Sequence, residues 1–399
     1  MRTGFSTLLV LLMTVWGPAY MQELPTLTGE ARVSLLTCGT GNEMYTYFGH
    51  SAIRITDPGA RVNRVYNYGT FDFTVSNFYL QFAKGKMYYM LSATRSESFM
   101  NEYIGENRYI HEVPLLLTDE EKQTLFTLLE NNLLPENKHY WYDFFKDNCS
   151  TRVRDIIAKS TSNRFSWPGP EQDPLTFREL ILPYLKPHPW SRTGILLLLA
   201  GGADEKATIS DYMFLPERME DIFVAARDDS GNPLTGEHRV LFSAQETSSR
   251  QTPFHPYVIF SLFAAMSLLI AATGKYRTLA RIWFSFWFLA AGLLGILFSF
   301  MWFVSEHWVC HANLNLAWAL PFSLVPAITI WFRSLDRFNR ITSITLLIPL
   351  ILFLLTFPFW KQSIPIEGIL IAISVGSGFY YFSGLPNLGN SKPKKQANQ

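Results

Sequence analysis

Tyr142-Asp143-Phe144-Phe145-Lys146-Asp147-Asn148-Cys149-Ser150 is the stretch on which the reading of this chain turns. Asp147 and Asn148 are good helix N-caps, because a short side-chain oxygen accepts a bond from the backbone N–H groups that a first turn leaves unpaired. Val153, Ile156 and Ile157 follow at helical spacing. A helix is therefore expected to start here with Cys149 in its first turn. Free N–H groups and the positive end of the helix dipole at that place favour a thiolate over a thiol, which is what a cysteine nucleophile needs.

Upstream lie short β-prone stretches at 32–37, 51–56 and 64–68, the second closed by the turn Asp57-Pro58-Gly59. A small sheet is the expected scaffold. Between these strands and Cys149, Thr118-Asp119-Glu120-Glu121 reads as a capping box opening a helix through Leu125, Leu128 and Leu129, ended by Pro135. A thiolate needs a base to form it, and His50, in Tyr47-Phe48-Gly49-His50 at the entry to a strand, is the best placed. Taken singly, such a histidine is more often a packed side chain and such a cysteine an inert buried one. Together they make a better case for chemistry.

The rest of the chain changes solvent. Arg2, the apolar run Leu8 to Met13 and the small residues Gly17 to Ala19 read as a secretory signal peptide over residues 1–22. Residues 23–250 read as an extracytoplasmic domain, with Ser249 to Pro253 as a short linker. Residues 251–385 carry apolar runs at 258–274, 282–304, 316–332, 341–360 and 366–383, which read as five transmembrane helices. Lys275, Arg277 and Arg281 follow the first, Arg333, Arg337 and Arg340 the third, and Lys392, Lys394 and Lys395 lie in the tail 386–399. The positive-inside rule puts all three groups in the cytoplasm and residues 305–315 and 361–365 on the outer face.

With 34 basic and 33 acidic residues the chain has no nucleic-acid footprint. Three cysteines, Cys38, Cys149 and Cys310, are too few and too odd for a disulfide framework. Cys38 has three open readings: pairing with Cys149, pairing with Cys310, or packing. The outer segment Ser305 to Asn315 is unusually polar, and Glu306, His307, Asn313 and Asn315 are expected to touch a lipid headgroup or the site. Trp308 and Trp318 read as interface-belt aromatics. His307 and His311 have helical ligand spacing but no full ligand set, so no metal and no cofactor are expected.

Leu36 to Gly41, Phe48 to Arg54, Tyr66 to Phe73 and Tyr142 to Ser150 resemble the Lnb-type lipoprotein N-acyltransferase family. The resemblance covers nearly the whole mature chain. It implies an α+β fold, a circularly permuted papain-like domain of the NlpC/LRAT type, followed by an all-α bundle of about five transmembrane helices. It also implies a multi-pass protein of the bacterial inner membrane with its N-terminal domain in the periplasm. The implied reaction moves an acyl chain from a phospholipid donor to the α-amino group of the S-diacylglyceryl cysteine that begins a diacylated lipoprotein, through a thioester on Cys149. In this fold the next strand supplies the group that orients the base. That group is expected to be Asn67, with Tyr66 as the alternative, since alternation lets only one of them face the site. Asn148 and Tyr66 are further site-shaping or oxyanion candidates. Two other readings stay open: a membrane-anchored thiol amidase or peptidase acting on cell-wall peptide, and a non-enzymatic lipid- or lipoprotein-binding module.

Overall fold

The computed structural model describes residues 24–71, 77–168, 173–245, 254–274 and 277–385. The expected signal peptide, the expected linker 249–253, Lys275, Asp72, Phe73 and the tail 386–399 lie outside the described residues.

Alternation along the first strands sets up the N-terminal domain. β1 (Arg32–Cys38), β2 (His50–Asp57) and β3 (Val62–Thr70) form an antiparallel meander. Val33, Leu35, Ile53, Ile55 and Tyr66 point to one face and Leu36, Ala52 and Val65 to the other, all buried. Each fully buried isoleucine here contributes about 2 kcal/mol of apolar burial. Around the meander stand β4 (Tyr88–Arg95), β5 (Ile110–Pro114), β6 (His139–Trp141) and, after a small ribbon of β7 (Phe165–Ser166) with β8 (Arg227–Asp228), β9 (Arg239–Phe242). The sheet order is β6-β4-β3-β2-β1-β5-β9, and every pairing is antiparallel.

Helices cover both faces. After α1 (Phe78–Ala83), α2 (Ser96–Gly105) lies on the smaller apolar face. α3 (Asp119–Asn132) starts at the Thr118 capping box, and α4 (Cys149–Ser160) starts at Asn148; both pack on the larger face, α4 against β2. α5 (Phe177–Leu185), α6 (Pro189–Leu198), α7 (Ile209–Tyr212) and α8 (Pro216–Ala225) complete the domain, α8 lying on β1.

Among the described residues four helices are long and apolar enough to cross a membrane. They are α9 (Pro256–Thr273), α10 (Arg277–Phe303), α12 (Asp336–Thr356), whose helical run extends over Arg333–Phe359, and α13 (Ile366–Ser383). The expected third helix at 316–332 is not one. That stretch consists of short 3-10 turns at Leu314–Ala317 and Pro321–Ser323 and a six-residue helix, α11 (Leu324–Thr329). Pro321 cannot donate a backbone bond within a longer helix, nor can Pro326.

The broken stretch still runs the length of the bundle. Ala319 and Pro321 lie against Gly295, Leu324 against Gly292, Ala327 accepts a bond from Ser285 at 2.9 Å, and Asp336 meets Arg277 at 2.9 Å. Those contacts follow α10 backward from one end to the other, so residues 319–336 run back along α10, antiparallel to it, without forming a long helix. Side chains hold the broken stretch: Ser285 Oγ donates to the Ala327 carbonyl, and Asn339 Nδ2 donates at 2.9 Å to the Thr329 carbonyl, which also accepts from the Phe332 N–H. Apolar surroundings favour such bonds, because no water is there to satisfy a free carbonyl. The Arg277–Asp336 pair gathers two of the three basic groups at one end of the bundle, and Arg340 reaches Gly384 at the same end. Residues 305–315 and 361–365 meet at the opposite end, against the N-terminal domain, where Gln362 Nε2 donates to Asn313 Oδ1 at 3.0 Å.

Candidate active site

Asn148 fixes the start of α4. Its side-chain oxygen accepts from the N–H groups of Ser150 (2.9 Å) and Thr151 (3.0 Å), and Thr151 Oγ1 accepts from the Asn148 N–H at 2.8 Å. Asn148 Nδ2 donates to the carbonyls of Phe144 and Phe214, each at 2.8 Å. Every polar group of this side chain is thus engaged. As an oxyanion candidate its carboxamide is already spent; it shapes the site by holding the helix terminus, and Cys149 becomes the first residue of the helix.

His50 is the first residue of β2, and its ring hydrogen-bonds the Cys149 side chain. The other ring nitrogen, Nε2, meets Asn67 Oδ1 at 2.5 Å, which leaves Nδ1 toward the sulfur. Asn67 therefore takes the orienting position. Tyr66 points to the opposite face, where its hydroxyl donates to Glu130, itself paired with Arg64; the period of two along β3 forces this choice. Between Asn67 and Thr70 the β3–β4 register shifts, and Gly69 sits there at φ +93°, the left-handed side that a Cβ disfavours. A side chain at Gly69 would stand 3.5 Å from Cys149 Cβ and 3.7 Å from His50 Cε1, so this bulge forms one wall of the site.

Burial pushes the Cys149 thiol up, but the charge and hydrogen bond of His50, the Ser51 N–H and the Ser150 hydroxyl outweigh it and bring the thiol down to about 7. Burial would lower His50, yet the facing thiolate and the bond to Asn67 raise it above its ordinary value. The two shifts run in the directions that favour a thiolate facing an imidazolium, in a partly buried place. Ser51 and Ser150 join the two elements that carry the pair. Their hydroxyls meet at 2.9 Å, both buried, and pin β2 to the first turn of α4.

Aromatic side chains complete the surroundings; Tyr142 and Phe71 lie in the quoted stretches, but no local spacing joins them to Tyr45 and Tyr89. Tyr142 stacks on Tyr89 at 4.1 Å, Phe71 lies on Tyr89 at 5.1 Å, and Tyr45 meets the edge of Phe71 at 5.9 Å. Tyr89 and Tyr142 are both close enough to Cys149 to feel its charge. All three cysteines are free, and Cys38, opposite His50 in the strand register, is buried with its thiol pushed up by burial. Packing is the reading of Cys38 that this geometry supports.

The polar outer segment does something other than reach the site. Asn313 and Asn315 are buried at the end of α6: Asn313 Nδ2 donates to the carbonyls of Leu197 (2.9 Å) and Leu198 (3.1 Å), and Asn315 Nδ2 to Leu197 at 3.1 Å. Unpaired last-turn carbonyls of a helix demand such donors. Trp318, read as a belt aromatic, is buried and donates to Asn315 Oδ1 at 2.9 Å, while Trp308 stacks edge-on against Phe177. Glu306 pairs with Lys86 at 3.2 Å, and its N–H donates to the Lys84 carbonyl. His307 Nε2 bonds the Phe82 carbonyl at 2.9 Å and His311 Nε2 the Ser305 carbonyl at 2.8 Å, so each histidine is tied to a different carbonyl. Glu306 and His307 thus clasp α1 and the turn after it, the stretch that follows the Gly69 bulge.

Two family models match this chain: the Lnb N-terminal periplasmic domain over residues 27–182 and the Lnb transmembrane domain over residues 245–382. The chain belongs to the Lnb family. It is a membrane protein with a periplasmic N-terminal domain, and the Cys149, His50 and Asn67 cluster falls inside the first matched region of the Lnb pattern. No curated protein and no solved structure matches it.

Proposed function

We propose that this Lnb-family chain is a lipoprotein N-acyltransferase of the inner membrane, built on a permuted papain-like domain whose nucleophile is Cys149. The observation that carries the reading is the cluster of Cys149 at the start of α4 with His50 and Asn67, in a domain bonded directly to the membrane part. Cys149 Sγ attacks the ester carbonyl of a phospholipid. Asn148 takes the Ser150 and Thr151 amides, which leaves the Cys149 N–H as the first-turn donor for the oxyanion. The tetrahedral intermediate collapses with loss of the lysophospholipid alkoxide, which takes its proton from His50, and a thioester remains. The α-amino group of a diacylated lipoprotein then attacks the thioester, His50 accepts its proton, and the Cys149 thiolate leaves. Tyr45, Phe71, Tyr89 and Tyr142 supply apolar surface suited to an acyl chain and to keeping water from the thioester.

The test is mass spectrometry of a lipoprotein N-terminal peptide from cells whose sole source of N-acylation is this protein. Wild type is expected to yield the triacyl form, and Cys149→Ala and His50→Ala the diacyl form. Acylation that survives in both variants, or none in wild type, sinks the proposal and points to the cell-wall hydrolase or binding-module readings.

A further inference from the structure

Two strands over from the strand of His50, on the same face of the sheet as α4, three metal-ligating side chains converge. His111 lies in β5, Glu220 in α8, and His238 just before β9. His238 Nε2 stands 3.0 Å and His111 Nδ1 3.5 Å from Glu220 Oε1, and one ligand atom from each residue lies within 4.8 Å of the others. The two imidazole rings meet edge to face at 4.6 Å. Ligand atoms around a tetrahedral zinc ion, at bonds of about 2.0–2.1 Å, stand roughly 3.3 Å apart. The two distances to Glu220 Oε1 bracket that value, and the ligand atoms of the two histidines lie within 4.8 Å of each other.

A second observation points the same way. Glu220 is 9 % exposed, and its Oε2 is buried with no hydrogen-bond partner. A buried carboxylate oxygen left unpaired is costly, and a cation is the partner that removes the cost. The cluster is also preorganised. Thr235 bridges Leu115, and the Gly236 N–H donates to the Pro114 carbonyl at 2.8 Å, which fixes the approach to His238. Tyr109 stacks on His111 at 4.3 Å and holds that ring flat.

We propose that His111, Glu220 and His238 bind one divalent cation of the zinc class. Two imidazoles and one carboxylate suit zinc or cobalt rather than magnesium, which prefers oxygen ligands, and three protein ligands leave a fourth position for water. The ion serves as a clip, not as a participant in thiol chemistry. In the strand register His111 faces Thr37, which faces Ser51, so the site lies two strand spacings, about 10 Å, from the residue next to His50. Its effect is to tie α8 and β9 to β5. α8 follows directly on Phe214, whose carbonyl holds the Asn148 cap, so the clip steadies the approach to the nucleophile's helix.

The test uses full-length protein in detergent, stripped with a chelator and dialysed against zinc. A Cys149→Ala background removes the thiol as a competing ligand. One zinc per chain is expected, with cobalt giving the visible absorption of a tetrahedral site and magnesium not competing. Glu220→Gln and His238→Gln are expected to weaken zinc binding at least tenfold, and zinc is expected to raise the thermal midpoint of the parent protein only. Absence of bound zinc and of a tetrahedral cobalt spectrum in the parent, a measurement that needs no ligand variant, overturns the proposal. So does zinc retained at full affinity by both variants.

Discussion

Cys149 and His50 act as one ionisable unit, and that makes the pair testable without any substrate. The sulfur is at about 7 because His50 outweighs burial, so the thiolate fraction rises as pH passes upward through that value. Alkylation of Cys149 by iodoacetamide is expected to reach half its plateau rate near pH 7 in wild type. In His50→Ala the lowering cause is gone and burial stays, so the midpoint moves up to the ordinary 9.0 or beyond. A pH–rate profile by mass spectrometry of the modified peptide checks both, and an unmoved midpoint in the variant would show that the helix terminus alone activates the thiol. Much of this site was legible in the sequence because each part carries a local signature: a cap at Asn148, a strand entry at His50, and an alternation that admits Asn67 or Tyr66 but not both. The aromatic wall and the His111, Glu220 and His238 cluster carried none. Their members come from elements far apart in the chain, and only the sheet order brings them together.

At the scale of elements, α4 and α13 fall where the sequence pattern places them, whereas the continuous helix expected at 316–332 is a broken stretch of short turns. Apolar length identifies a segment that belongs in lipid, but it does not tell a helix from a run of turns whose backbone is satisfied by neighbours. Pro321 and Pro326 were the local warning, and the support came from Ser285 and Asn339, on other elements. That arrangement depends on close backbone approach. A Cβ at Gly295 would stand 2.1 Å from the Ala319 carbonyl oxygen and 2.7 Å from Pro321 N, both backbone atoms that cannot swing aside. Gly295→Ala is therefore expected to push the broken stretch off α10 and destabilise the bundle by about 2 kcal/mol or more. A lowered thermal midpoint in detergent measures it. Gly194, with open space around its Cβ, is the control: Gly194→Ala is expected to leave the midpoint unchanged or slightly raised, since it sits inside α6.

The whole molecule works as one body because the N-terminal domain finishes its core with residues from the membrane part. Met301, Val309 and Cys310 belong to the same buried cluster as Phe145, Phe177 and Phe214. Beside it, Arg178 pairs with Asp204 and bonds the carbonyls of Leu196, Leu199 and Ala200, while the Ser363 N–H donates to Asp204 Oδ2 at 3.1 Å. Asn313 is the centre of this junction: it caps the end of α6 and accepts from Asn315 and Gln362. Asn313→Ala would leave buried carbonyls and N–H groups short of partners, at about 1–3 kcal/mol for each group left unmet. The cost falls on the junction and not on α4, whose cap is made by Asn148 with Phe144 and Phe214. Faster hydrogen exchange is therefore expected in the last turn of α6 and around Gln362, with the alkylation profile of Cys149 unchanged. Under the proposed function, lipoprotein N-acylation is expected to fall several-fold in the same variant, because a thiol serving membrane-held substrates would depend on how firmly its domain is held against the bundle. Unchanged acylation beside faster exchange would mean that the site works independently of that junction.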